Sequence, residues 1–310
     1  MPQATFVFLN CHQLDYLANK QLPTQKISDL ADTLRDAAGN KPPGVFGLCE
    51  VRDIDIAREL AEQVAANTYE VIMSTAPTDT MGAMGLALCF ETKILSMVDV
   101  VRDRPRRPRV DSRSFWLATQ LQFQNGSKAS LWIILNHWKS WIDGELETEL
   151  KRIENYREME ELFRTTSDLR GQSVVSAPVK PVIDADAFVL IAGDFNCEPG
   201  SRPLCFPTGA AMEVRRHPGS VAGTMSSRVL FLNTMWSAAG RRDQGSPGYF
   251  QGTYANSRSN YGPRLFDQIL VSKALLDSGA LIRYIAGSTK IQATRGLASD
   301  HSAVAAKVAY

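Results

Sequence analysis

The sequence predicts an α/β sandwich and not a doubly wound parallel sheet. Two observations carry that expectation. Roughly ten short apolar runs of strand character are separated by only a few segments of helical period. Residues 188–192 (Phe-Val-Leu-Ile-Ala) form a continuous apolar run that suits a strand buried on both faces. That run leads into Gly193, Asp194 and Asn196. In extended backbone the last two side chains point to the same side.

The remaining elements follow in order. Residues 5–10 (Thr-Phe-Val-Phe-Leu-Asn) read as a first strand ending in a polar residue. Residues 24–39 carry Ile27, Leu30, Ala31 and Leu34 on one helical stripe, with Thr24 suited to the N-cap and Gly39 to the C′ position. Pro42-Pro43-Gly44 breaks the chain, and residues 45–49 form a second strand ending at Glu50. A second helix follows, with Ile56, Leu60 and Val64 on one face.

Residues 71–74, 86–90 and 94–101 read as strands, with residues 81–85 a glycine- and methionine-containing lead-in. Residues 115–123 and 131–136 pair as a hairpin around Asn125-Gly126, ending at His137. Residues 145–164 are a charged amphipathic helix, and residues 171–186 a surface loop. Residues 199–228 read as a long irregular insertion. Residues 265–272, with Asp267 near the start, and 303–308 supply the last strands. No linker divides the chain, so residues 1–310 are expected to form one domain.

Composition is that of an ordinary globular protein, 44% hydrophobic and 22% charged, able to bury a core without staples. A net charge of +1 neither requires nor excludes a polyanionic partner. No uninterrupted apolar run reaches the roughly 18 residues of a membrane span, and the first residues lack the pattern of a signal peptide. The five cysteines are odd in number and lack metal-ligand spacing. Cys49 and Cys89 lie in apolar runs, as reduced cysteines acting as small hydrophobes. A reducing, cytoplasmic setting is the expectation.

Polar residues cluster at strand ends: Asn10, Glu50, His137, Asp194 with Asn196, Asp267, and Asp300 with His301. Each alone reads as a turn cap, a surface acid or a satisfied core histidine. Together these types are what a phosphoester-cleaving site requires. Residues 102–113 hold six arginines, which make either a solvated loop or an electropositive lip for phosphates.

Six stretches match, in order, those of a known superfamily: Phe8-Leu9-Asn10, Gly47-Leu48-Cys49-Glu50-Val51, Asn136-His137-Trp138-Lys139-Ser140, Gly193-Asp194-Phe195-Asn196, Phe266-Asp267-Gln268-Ile269-Leu270 and Ser299-Asp300-His301. The chain resembles the endonuclease/exonuclease/phosphatase superfamily with the DNase I-like fold. Asn136 to Ser140, followed by a helix carrying Arg152, is most similar to the nuclease-type members. The resemblance implies a four-layered α/β/β/α sandwich and a divalent metal site for Mg²⁺ or Mn²⁺. Glu50 is the implied metal ligand and Asp300 a second, direct or through water. Asp267 would orient His301. Either His301 or Asp194 would serve as general base. Asn10, Asn196 and His137 would bind water or the scissile phosphate.

Two features depart from the family pattern. Asp111 stands near the position of the acid that holds the histidine matching His137 in DNase-type members, but its reach is open. The residues of an abasic-site enzyme are not recognisable. The expected activity is metal-dependent hydrolysis of nucleic acid. Arginines 102–113, Lys139, Arg258 and Arg264 are candidate phosphate contacts, and Trp138 and Trp141 either stack on bases or pack in the core. The competing expectations are a phosphatase or phosphodiesterase on a small or lipid phosphate, and a binding module that has lost its chemistry.

Overall fold

A computed structural model of the protein describes residues 1–14, 24–74, 85–102, 116–125, 129–138, 140, 144–163, 182–184, 186–205, 212–215, 229–237, 253–254, 264–296 and 298–310. In chain order the elements are β1 (Gln3–Leu14), α1 (Thr24–Ala37), β2 (Val45–Val51), α2 (Ile54–Val64), β3 (Tyr69–Met73), β4 (Gly85–Glu91), β5 (Leu95–Arg102), β6 (Trp116–Phe123) and β7 (Ser130–His137). Then follow α3 (Glu145–Glu160), β8 (Phe188–Asp194), α4 (Arg202–Cys205), β9 (Met212–Arg215), β10 (Val229–Asn233), β11 (Asp267–Ser272), β12 (Arg283–Tyr284), β13 (Lys290–Gln292) and β14 (Ala303–Ala309).

These strands make two sheets. One runs β12-β14-β1-β2-β4-β3, with β13 also paired to β14; the other runs β5-β6-β7-β8-β11-β10-β9. Both are mixed: β1 pairs parallel to β2 and antiparallel to β14, and β7 pairs parallel to β8. The alternation of side chains sorts residues into three cores. Phe6, Phe8, Leu88, Ile133, Leu135, Leu190 and Ile269 fill the space between the sheets. Val7, Leu9, Phe46 and Leu48 pack outward against Leu30, Leu34, Ile56 and Leu60 of α1 and α2. Ile134, Ile191, Phe231 and Leu270 pack outward against Tyr156 and Met159 of α3. The layers are therefore α/β/β/α, the DNase I-like arrangement. The sheets approach so closely that a Cβ on Gly47 would lie 2.4 Å from Leu135 Cδ2.

Local chemistry fixes the element ends. Helix α1 closes with Gly39 at φ +87°, Gly39 N bonding Asp36 O and Asn40 N bonding Arg35 O, the paired bonds of a Schellman motif. Helix α2 opens on Asp53, whose carboxylate accepts from Asp55 N at 2.8 Å, a cap worth about 1 kcal/mol.

Three expectations need correction. Strand β1 continues past Asn10 to Leu14. Within the insertion at 199–228, α4 and β9 are regular, and β9 adds a parallel edge strand to β10. Strand β10 itself, an apolar run from Val229, was not anticipated. Residues 81–84, 103–115, 126–128, 171–181 and 255–263, with Lys139 and Trp141, lie outside the described residues, and so do Asp111 and the arginine loop beyond Arg102, which ends β5 and donates to Met73 O at 2.9 Å.

Candidate active site

Inward-facing positions of four strands turn polar at one end of the sandwich. Asn10 follows Phe6 and Phe8 on β1, His137 follows Ile133 and Leu135 on β7, and Asp194 follows Leu190 and Ala192 on β8. Strand β11 runs antiparallel to β8, so its first residue, Asp267, pairs with Asp194 at the same end. Burial and strand alternation alone bring these four side chains together.

Glu50 reaches the site differently. The pairing of β2 with both neighbours shifts register between Cys49 and Val51, and Glu50 takes φ +59°. This bulge inserts one residue, so Cys49 faces the inter-sheet core while Val51 faces the helices. His12 (φ +46°) and Asn196 (φ +47°) also hold left-handed backbone. Among the described residues, three of the five non-glycine residues with positive φ thus border this one site, where strain is commonly kept for function. Asn196 corrects the expectation of two residues aligned by extended backbone. Its N–H donates to Asp194 Oδ1 at 2.8 Å, and its Nδ2 donates to Trp138 O at 3.1 Å.

Asn10 Nδ2 donates to Glu50 Oε1 at 3.2 Å and Asp194 Oδ2 at 3.1 Å, and lies 3.5 Å from His301 Nε2. His137 Nε2 is 3.7 Å from Glu50 Oε1. His301 Nδ1 is 2.7 Å from Asp267 Oδ2, while its Nε2 is 3.9 Å from both Asp194 Oδ2 and Asp300 Oδ1. The Ser299 hydroxyl donates to Asn10 O and accepts from His301 N, tying the last loop to β1. Thr253 Oγ1 accepts from Asp267 N, and the Tyr254 ring lies 4.8 Å from the His301 ring.

Electrostatics follow from this crowding. Burial pushes the Asp194 carboxyl up to about 6, against the charges of His301 and His137. For His301 burial works downward, but Asp267, with Asp194 and Asp300 behind it, outweighs that and raises the imidazole. The pairing with Asp267 therefore favours the protonated imidazole.

Sequence reasoning missed His12. Its Nδ1 lies 3.0 Å from Asp300 Oδ1, and that close pairing raises the imidazole. Burial would raise Asp300, but the pairing with His12 and the charge of His301 bring it below the ordinary range. Lys26 Nζ donates to His12 O at 2.9 Å. Trp138 is 1% exposed and meets Phe195 and Tyr156 edge-on, so it packs in the core and does not stack on a base. Arg264 faces Glu198 at 3.6 Å.

For a metal ion, Asp194, Asp267 and His301 offer ligand atoms within 4.8 Å of one another. Asp267 is fully buried and hydrogen-bonded to the His301 imidazole, so that trio is better matched to proton chemistry. Glu50 and Asp300 are the more accessible carboxylates, and oxygen donors of that kind suit a hard divalent cation.

A family model described as "Endonuclease/Exonuclease/phosphatase family" matches residues 16–303. The chain belongs to that family. Among solved structures, D. rerio TDP2 complexed with a single-strand DNA product is similar over 100% of both chains, at 15% identity and TM-score 0.63. The human nocturnin catalytic domain with a bound sulfate anion is similar over 99% of this chain and 93% of its own, at 15% identity and TM-score 0.56. A family protein from Bacteroides thetaiotaomicron is similar over 99% and 95%, at 12% identity and TM-score 0.58. At these identities the likeness establishes the fold. No curated protein sequence matches the chain. No helix among the described residues is long and apolar enough to cross a membrane.

Proposed function

We propose that residues 1–310 act as one domain, a divalent-metal-dependent phosphodiesterase that hydrolyses nucleic acid by in-line attack of an activated water. The observation that carries this reading is the meeting of Asn10, Glu50, His137, Asp194, Asp267 and His301 at one end of the sandwich. Glu50 and Asp300 would hold Mg²⁺ or Mn²⁺, which when bound polarises a phosphoryl oxygen and stabilises the leaving oxygen.

Asp194 is the base in this reading. Its raised affinity for a proton suits it to accept one from water near neutrality. His301, whose protonated form Asp267 favours, is the poorer proton acceptor of the two. Instead it offers a fixed positive charge to the phosphate oxygens as charge builds on them. His137 and the second amide proton of Asn196 donate to the same phosphate. Asn10, whose amide is already shared by Glu50 and Asp194, orients those two carboxylates.

Nucleic acid is the favoured substrate class because a similar structure holds a single-strand DNA product and because residues 102–113 carry six arginines. The test is a panel with Mg²⁺ or Mn²⁺: plasmid, single-stranded DNA, RNA, small phosphomonoesters and small diesters. Nucleic-acid cleavage should be fastest, with affinity falling steeply as salt rises. Brisk small-phosphoester hydrolysis without salt-dependent nucleic-acid binding would favour the phosphatase reading instead.

A further inference from the structure

We infer that Gln268 is a positioning residue: its buried carboxamide, paired with Asn233, clamps the loop after Asp194 to the start of β11 and so sets the spacing between Asp194 and the Asp267–His301 pair. The inference rests on the hydrolase reading above, but its geometry does not.

Gln268 follows Asp267 in β11, so the two side chains leave opposite faces of the sheet. Asp267 points between the sheets, with Ile269. Gln268 shares the outer face with Leu270, which packs among Phe231 and Phe195. An apolar side chain would suit that position, yet a carboxamide with 0% exposure occupies it. Burying one is costly unless it is bonded.

Gln268 is bonded. Its Nε2 donates to the carbonyls of Cys197 and Leu265, and its Oε1 accepts from Asn233 Nδ2 at 2.6 Å. Asn233 is itself 1% exposed, and its Oδ1 accepts from Met235 N at 3.0 Å. The pair therefore joins three backbone segments from within the core.

The segments joined are those that carry the chemistry. Cys197 follows Asn196, whose N–H fixes one oxygen of Asp194. Leu265 lies two residues before Asp267. Phe195 N also donates to Phe266 O at 2.9 Å, and Leu265 N lies 3.4 Å from both Glu198 carboxylate oxygens. Loops 194–198 and 264–267 are thus bonded to each other through Phe195–Phe266 and Glu198–Leu265, and Gln268 adds a fully buried side-chain bridge between Cys197 and Leu265. Released from it, Cys197 would drift, and through Asn196 so would the Asp194 carboxylate.

The test compares Gln268→Met, equal in length and without hydrogen bonds, with the wild-type protein. Unfolding temperature, kcat and KM on a phosphodiester, and the low-field proton signal of the His301–Asp267 bond by NMR are measured. The expected result is a folded variant with kcat lowered about 10- to 100-fold, KM little changed, and the low-field signal shifted or broadened. Wild-type kcat with an unmoved signal, or activity lost only in proportion to folded protein, would overturn the inference. If Gln268→Met does not fold, Asn233→Ala takes its place with the same readouts. Failure of both to fold assigns the pair to the core alone and overturns the inference. Absence of hydrolysis by the wild-type protein would sink the functional reading, and the NMR signal of the folded variant would still decide the positioning role.

Discussion

His301 Nδ1 lies 2.7 Å from Asp267 Oδ2, and that bond spans the sandwich: Asp267 begins a strand of one sheet, while His301 precedes the last strand of the other. The dyad forms only when both sheets are packed. Replacing either residue with Ala should lower kcat by about 10²-fold or more, roughly 2.7 kcal/mol of barrier. The double variant should lose little beyond either single one, because the two act as a unit. Fully additive losses in a double-mutant cycle would mean that they work separately.

The pH dependence follows from the same cluster. Asp194 must be ionised to accept a proton, and its pKa is raised to about 6. A bound divalent cation lowers that value, so the rising limb of kcat should have its midpoint no higher than about 6. The limb should vanish in Asp194→Asn. His301 titrates in the opposite sense: its folded pKa lies above the unfolded one, so its pairing with Asp267 is fully present below about 6.5 and is lost as pH rises through about 10. Asp267→Asn should move the falling limb toward neutrality. A kcat still rising beyond pH 8 in the wild-type protein would remove Asp194 from its role.

Glu50 sits on a strained bulge, and its two contributions can be separated. Glu50→Gln should weaken Mg²⁺ or Mn²⁺ binding measured by calorimetry without unfolding the protein. Glu50→Gly should lose the same binding while gaining up to about 1 kcal/mol of stability, since glycine adopts φ +59° without penalty. Unchanged metal affinity in both variants would reassign the metal, and a stability loss above about 1 kcal/mol in Glu50→Gly would show that the bulge is not strained.

Much of this architecture was legible because burial and strand alternation write themselves into residue order. The run from Phe188 to Asp194 and the polar ends at Asn10, His137 and Asp267 follow from period two alone. Glu50 was legible as a polar strand end, and its role as a ligand only by resemblance: the bulge that turns it inward leaves no trace in hydrophobic pattern. Asn196 was expected in the right place for the wrong reason, since left-handed backbone and not alternation sets its direction. His12 was missed because a single histidine past a strand end looks like any surface residue until Asp300 is beside it. Gln268 and Asn233 were missed because buried carboxamides, one strand apart, are indistinguishable in sequence from exposed ones. Strand β10 had the signal, Val229 to Leu232, but stood next to an insertion taken as irregular. Trp138 was left between base stacking and core, and packing against Phe195 and Tyr156 decides for the core.

The central claim is that water is activated at Asp194 and delivered to phosphorus beside His301. The most direct measurement is hydrolysis of a single-stranded oligonucleotide in ¹⁸O-labelled water with Mg²⁺ or Mn²⁺, by wild-type protein, Asp194→Asn and His301→Ala. The account predicts label in the product phosphate, loss of turnover on chelation, and a fall of about 10²-fold or more in each variant. Turnover that persists without metal, or that survives unchanged in Asp194→Asn, would contradict it.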